Sequence, residues 1–88
     1  MKTVFSPLAE KQLKKLPKIV QISIARKVRN IEGEIVVANM KFLSGYKGLY
    51  RIRVGDYRLV FRKYTNKVYF ILIGHRREIY LLLKKLWR

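Results

Sequence analysis

The chain has 88 residues, with 21 lysines and arginines against 5 acids, one histidine and no cysteine, which gives a formal net charge of +16. That length allows one domain, expected over residues 1–88, with a small core, because so short a chain buries only roughly 60% of the surface its unfolded form exposes. The lack of cysteine excludes a disulfide framework and a thiolate zinc site, and one histidine with five scattered acids provides no metal-ligand cluster, so neither metal nor cofactor is expected.

Half of the residues are apolar and 12% are aromatic, which separates the chain from disordered polycations. Residues 2–5 are β-prone and stop at Ser6-Pro7, where serine can cap a helix and proline can occupy its first position. Leu8, Ala9, Leu13 and Leu16 follow a helical period, with Lys11, Lys14, Lys15 and Lys18 opposite, until Pro17 interrupts. Val20, Ile24, Val28 and Ile31 predict a second helix, its stripe widened by Ile22 and Ala25 and its end set by Gly33. Together the two read as a helical hairpin. Residues 35–45 fit a turn of helix or an irregular apolar connection equally well.

From Leu49 the period changes to two. Tyr50, Ile52 and Val54 alternate with Arg51 and Arg53, and Tyr57, Leu59 and Phe61 alternate with Arg58, Val60 and Arg62. Gly55-Asp56 between them fits a type II′ hairpin turn, which takes glycine first. Another turn is expected at Tyr64 to Lys67. The unbroken apolar run from Val68 to Ile73 then reads as a strand buried on both faces, closed by Gly74. Glu78 to Arg88 carries Ile79, Leu82, Leu83 and Leu86 at helical spacing, with Lys84, Lys85 and Arg88 toward the end that favours cations. The expected class is α+β: an N-terminal strand and helical hairpin packed on an antiparallel sheet with a short C-terminal helix.

No stretch approaches the roughly 20 apolar residues of a membrane span and no signal-peptide core is present, so a cytoplasmic address without a membrane partner is expected. So large a positive charge calls for a polyanion or an acidic protein to cover it. Residues 1–44 carry seven lysines and two arginines, whereas residues 45–88 carry five lysines and seven arginines. Lysines on helix faces are adequately explained as a solvated surface. Arginines are less easily dismissed. The hairpin register puts Arg53 opposite Arg58 and gathers Arg51, Arg53, Arg58 and Arg62 on one face, where like charges repel. A planar guanidinium suits phosphate, so an anion is expected there. Gly74-His75-Arg76-Arg77-Glu78-Ile79-Tyr80 follows the buried strand, and a turn at glycine would bring these side chains to the sheet's end beside the basic face.

Such a set lacks the parts for triad hydrolysis, paired-carboxylate chemistry or two-metal cleavage. Metal-free RNA cleavage needs less. The substrate's own 2′-OH attacks the neighbouring phosphate, and the protein orients the strand, takes one proton, returns one and stabilises negative charge. Arg51, Arg53 and Arg58 could supply that charge, and the base could be Tyr80 or His75. A tyrosine serves as base only where cations favour its phenolate.

Residues 49–61, Leu-Tyr-Arg-Ile-Arg-Val-Gly-Asp-Tyr-Arg-Leu-Val-Phe, followed by Ile73 to Tyr80, resemble the RelE/ParE superfamily of toxin–antitoxin toxins, in its RelE-like branch. The resemblance implies a compact α+β fold, a cognate acidic RelB-like antitoxin wrapped around the toxin, and messenger RNA cleavage on the ribosome. It further implies Tyr80 as base, Arg76 as acid or charge stabiliser, and Arg51, Arg53 and Arg58 as ligands of the scissile phosphate. Arg62, His75 and Arg77 would contact substrate. This chain departs from the family by carrying arginines at 51 and 53, where lysines are common, and by a short segment between Arg76 and Tyr80. Two alternatives remain open on sequence: a ParE-like poison of DNA gyrase without nuclease activity, and a basic RNA-binding module without chemistry.

Overall fold

Ser6 starts the first helix as the sequence requires: its side-chain oxygen accepts the Ala9 N–H at 3.0 Å, with Pro7 at the first helical position. The computed structural model describes residues 1–33 and 40–86. Its elements run β1 (Lys2–Phe5), α1 (Pro7–Lys14), α2 (Lys18–Glu32), β2 (Met40–Phe42), β3 (Leu49–Val54), β4 (Tyr57–Lys63), β5 (Lys67–His75) and α3 (Ile79–Leu86). One five-stranded sheet has the order β1-β5-β4-β3-β2. The pair β1–β5 is parallel and the other three pairs are antiparallel, so the sheet is mixed.

The sheet buries both faces. On one, Ala9 of α1 and Ile24, Val28 and Ile31 of α2 pack over Ile52, Val54, Leu59, Phe61, Val68, Phe70 and Ile73. On the other, Ile79 and Leu83 of α3 cover Leu49, Val60, Ile71 and Leu72. This two-sided burial accounts for the unbroken apolar run in β5. A bulge adds to it: Val60 pairs with Leu72 but Phe61 pairs with Phe70, so Ile71 is the extra residue and both Ile71 and Leu72 face α3. The bulge is tied to α1, since the Ser6 hydroxyl donates to the Ile71 carbonyl at 2.8 Å and the Ile73 N–H donates to Gln12 Oε1 at 2.7 Å.

Several expectations are corrected. Part of the ambiguous segment is a strand, β2, paired antiparallel with Tyr50 to Ile52 of β3; the remainder of residues 35–45 up to residue 39 lies outside the described residues. Gly74 does not close β5. It pairs with Arg58, and His75 pairs with Tyr57, so the ladder carries the strand one residue further. Ile22 and Ala25 do not widen the buried stripe of α2, since both are exposed, the helix meeting the sheet through the narrower set at 24, 28 and 31. In α3, Ile79 and Leu83 are buried in the core with Leu82 packed against it, but Leu86, in the last turn, makes no part of that cluster and is 53% exposed. Trp87 and Arg88, expected on that helix, lie outside the described residues.

Candidate active site

The β3–β4 hairpin turns at Gly55, whose φ of +59° belongs to the region glycine adopts without cost. Its register is the one required by the alternation, with Val54 opposite Tyr57 and Arg53 opposite Arg58. Because Leu49 and Val60 belong to the layer under α3, so do the strand positions in phase with them: Arg51 and Arg53 on β3, Arg58 and Arg62 on β4. The four arginines therefore share one face, as their spacing implies.

The row Arg53–Arg58–Gly74 crosses three adjacent strands. Gly74 has no side chain there, and Ile79 Cδ1 lies 3.2 Å from where a Cβ would stand. That close approach sets the start of α3 over the row. Tyr80 follows directly and is 41% exposed, so it stands at the surface and not in the core. Two rows further out, the Arg76 N–H donates to the Asp56 carbonyl at 2.7 Å and Arg76 Nε lies 3.6 Å from Asp56 Oδ1. The hairpin turn thus fixes both backbone and side chain of Arg76. Asp56, read from the sequence only as a turn residue, partners a site arginine. The pairing of Tyr57 with His75 is the signal, since it places the next residues outward, Asp56 and Arg76, side by side.

The set is not uniform. Arg58 is only 6% exposed, and its Nη1 donates to the Gly55 and Tyr57 carbonyls, each at 3.0 Å. Both Nη1 hydrogens hold the turn, leaving Nε and Nη2 as further donors. Arg53 is exposed, while Arg51 and Arg62 are half-buried. Arg62 lies four residues along β4 from Arg58, about 13 Å at the usual rise of a strand, and its guanidinium carbon comes to 4.0 Å from a Cβ built on Gly48. It belongs to the other end of the sheet. His75 faces the opposite layer: its ring meets that of Tyr57 edge-on at 5.5 Å, and its Nδ1 accepts the Arg77 N–H at 3.2 Å. The extension of β5 through His75 causes this, since consecutive strand residues alternate and Gly74 takes the arginine side. Among the described residues no group of three or more His, Cys, Asp or Glu could hold a metal ion, and no helix is long and apolar enough to cross a membrane.

A sequence profile described as ParE toxin of type II toxin–antitoxin system, parDE, matches residues 3–80. The chain belongs to this toxin family. Toxin RelE3 of Methanocaldococcus jannaschii is 29% identical over 84 residues, covering 91% of this chain and 96% of that protein. The toxin fold is similar to that in the RelB–RelE antitoxin–toxin complex from Methanococcus jannaschii, with a TM-score of 0.78, 26% identity and coverage of 90% of this chain and 96% of that one. It is also similar to the isolated E. coli RelE toxin, with a TM-score of 0.71, 26% identity and coverage of 96% and 95%. Within the RelE/ParE superfamily the toxin is RelE-like.

Proposed function

We propose that this toxin is a ribosome-dependent endoribonuclease that cuts messenger RNA without a metal ion, acting in the cytoplasm as one domain spanning residues 1–88. The observation that carries the reading is the row Arg53–Arg58–Gly74, flanked by the Asp56-held Arg76 and overlaid by the start of α3 with an exposed Tyr80. In this reading the substrate's 2′-oxygen forms a bond to the adjacent phosphorus and the bond from phosphorus to the 5′-oxygen breaks. Tyr80 takes the 2′-OH proton. Arg76 returns a proton to, or neutralises, the departing oxygen. Arg51, Arg53 and Arg58 hold the phosphate, with charge fixed in place before the reaction begins. His75 fits the base role less well, because it faces the other layer and its Nδ1 is already engaged. Arg77 would steer the strand near the site, and Arg62 would contact it at the far end of the face.

An acidic RelB-like antitoxin is the proposed partner. The net charge of +16 supports it, as do the RelB complexes that similar toxins form in the M. jannaschii and E. coli structures. A second reading rests on the match to the ParE description: inhibition of DNA gyrase by protein contact. The test maps RNA ends on ribosome-bound messages with the wild type, Arg76→Ala and Tyr80→Phe. Cuts within codons are expected from the wild type and a loss of roughly a hundredfold from each variant. Equal cutting by folded variants overturns the site, and intact message with inhibited supercoiling favours the gyrase reading.

A further inference from the structure

A groove of about 310 Å³ runs between α2 and the end of the hairpin, on the face of the sheet opposite the catalytic arginines. Its helical wall is formed by Ser23, Arg26, Lys27 and Asn30, at i, i+3, i+4 and i+7 on one face of α2, and its sheet wall by residues 53–55, with Val54 facing α2 and the Arg53 side chain on the other face of the strand. Among the described residues neither Arg26, Lys27 nor Arg53 has an acidic partner within 4.0 Å. No heavy atom lies within 4 Å of a Cβ built on Gly55, so the glycine that makes the turn also leaves the rim open. Past Gly55 lies a second hollow of about 220 Å³ that shares Ser23, Val54 and Gly55 with the first and is lined further by Ile19, Val20 and Tyr57, with Asp56, the partner of Arg76, at its rim.

We propose that this groove is a second nucleic-acid site, holding the RNA strand beyond the scissile phosphate; the proposal rests on the RNA-cleaving reading above. Arg26 and Lys27, adjacent on the helical wall and without an acidic partner among the described residues, repel one another and are relieved by an anion. A cationic stretch followed by an apolar and aromatic wall suits single-stranded nucleic acid, with phosphates on the cations and base faces on the wall. Continuity selects RNA over an acidic peptide: the tip of β3 carries Arg53 on the catalytic face, opposite Arg58, while residues 53–55 wall the groove on the other, so one strand can pass from the first to the second around the free end of the hairpin.

The test uses a labelled oligouridine with 2′-O-methyl sugars, which binds but cannot react, and follows its affinity for the full chain as salt is varied. For Arg26→Gln with Lys27→Gln, the salt slope should fall by about 1.4, with binding about 25-fold weaker at ~0.1 M salt, given about 0.7 per phosphate contact on a single strand. Lys11→Gln with Lys15→Gln removes the same charge from exposed positions on and beside α1 and should change affinity less than about threefold. Equal weakening by the two pairs overturns the proposal, as does an Arg26/Lys27 pair that alters binding of a polyglutamate peptide but not of RNA. Failure of the wild type to bind the oligonucleotide, while Tyr80-dependent cutting on ribosomes persists, overturns the groove and leaves the cleavage reading standing.

Discussion

Arg76 and Asp56 meet twice, through a 2.7 Å hydrogen bond from the arginine N–H to the aspartate carbonyl and through side chains 3.6 Å apart. The backbone bond docks the hairpin turn on the end of β5; the side-chain contact then restrains the guanidinium. With side-chain exposures of 50% and 67%, the ion pair itself is worth at most about 1 kcal/mol. Asp56→Ala should therefore lower the melting temperature by no more than about 4–8 °C while lowering RNA cleavage by roughly tenfold, short of the hundredfold that a 1 Å misplacement can cost. Melting curves and end mapping on the same preparation check both halves.

Arg58 plays a different part from its neighbours. Buried and bonded to two turn carbonyls, it is a fold residue as well as a proposed phosphate ligand. Arg58→Ala should destabilise the protein by about 1–3 kcal/mol, the usual cost of leaving buried polar groups unpaired. Arg58→Lys should recover the charge but not the paired geometry. Urea midpoints of the two variants, compared with their cleavage rates, separate the roles.

Ser6 joins three parts of the chain. Its oxygen accepts from Ala9 and its hydroxyl donates to the bulged Ile71, so Ser6→Ala removes a helix cap and strips a partner from a buried carbonyl. A loss of about 1–3 kcal/mol is expected, seen as a lower urea midpoint with an unchanged slope.

Gly74 tests how α3 is seated. A Cβ there would stand 3.2 Å from the tip of Ile79, and that tip can give way by a few tenths of an ångström. Gly74→Ala should fold and cut RNA nearly as the wild type does. Gly74→Val crowds the same space with two more methyls and should cost about 1–3 kcal/mol, with cleavage falling because Tyr80 moves with its helix.

Most of the sheet was legible because each face imposes a period. The hairpin register, the shared face of Arg51, Arg53, Arg58 and Arg62, and the Ser6 cap all follow from local alternation and turn chemistry. What escaped depends on partners distant in sequence. Met40 to Phe42 is exposed in all three residues and carries no alternation of burial to read. Burial of Arg58 and the opposite facing of His75 depend on how far β4 and β5 stay paired, which no local pattern encodes. The contact of Asp56 with Arg76 spans turn and strand end and becomes visible only once that register is known.

Beyond Phe70, where its pairing with β1 ends, β5 has no further β1 residue beside it, and a strand left bare along one side invites another chain to add to the sheet. Here the backbone groups that such a chain would need are already taken: the Phe70 carbonyl accepts from the Ser6 N–H, the Ile71 carbonyl from the Ser6 hydroxyl, and the Ile73 N–H is given to Gln12. The first turns of α1 thus act as a seal on the flank of the sheet, closing it to edge-to-edge association along β5, a strand as apolar as an aggregation-prone segment.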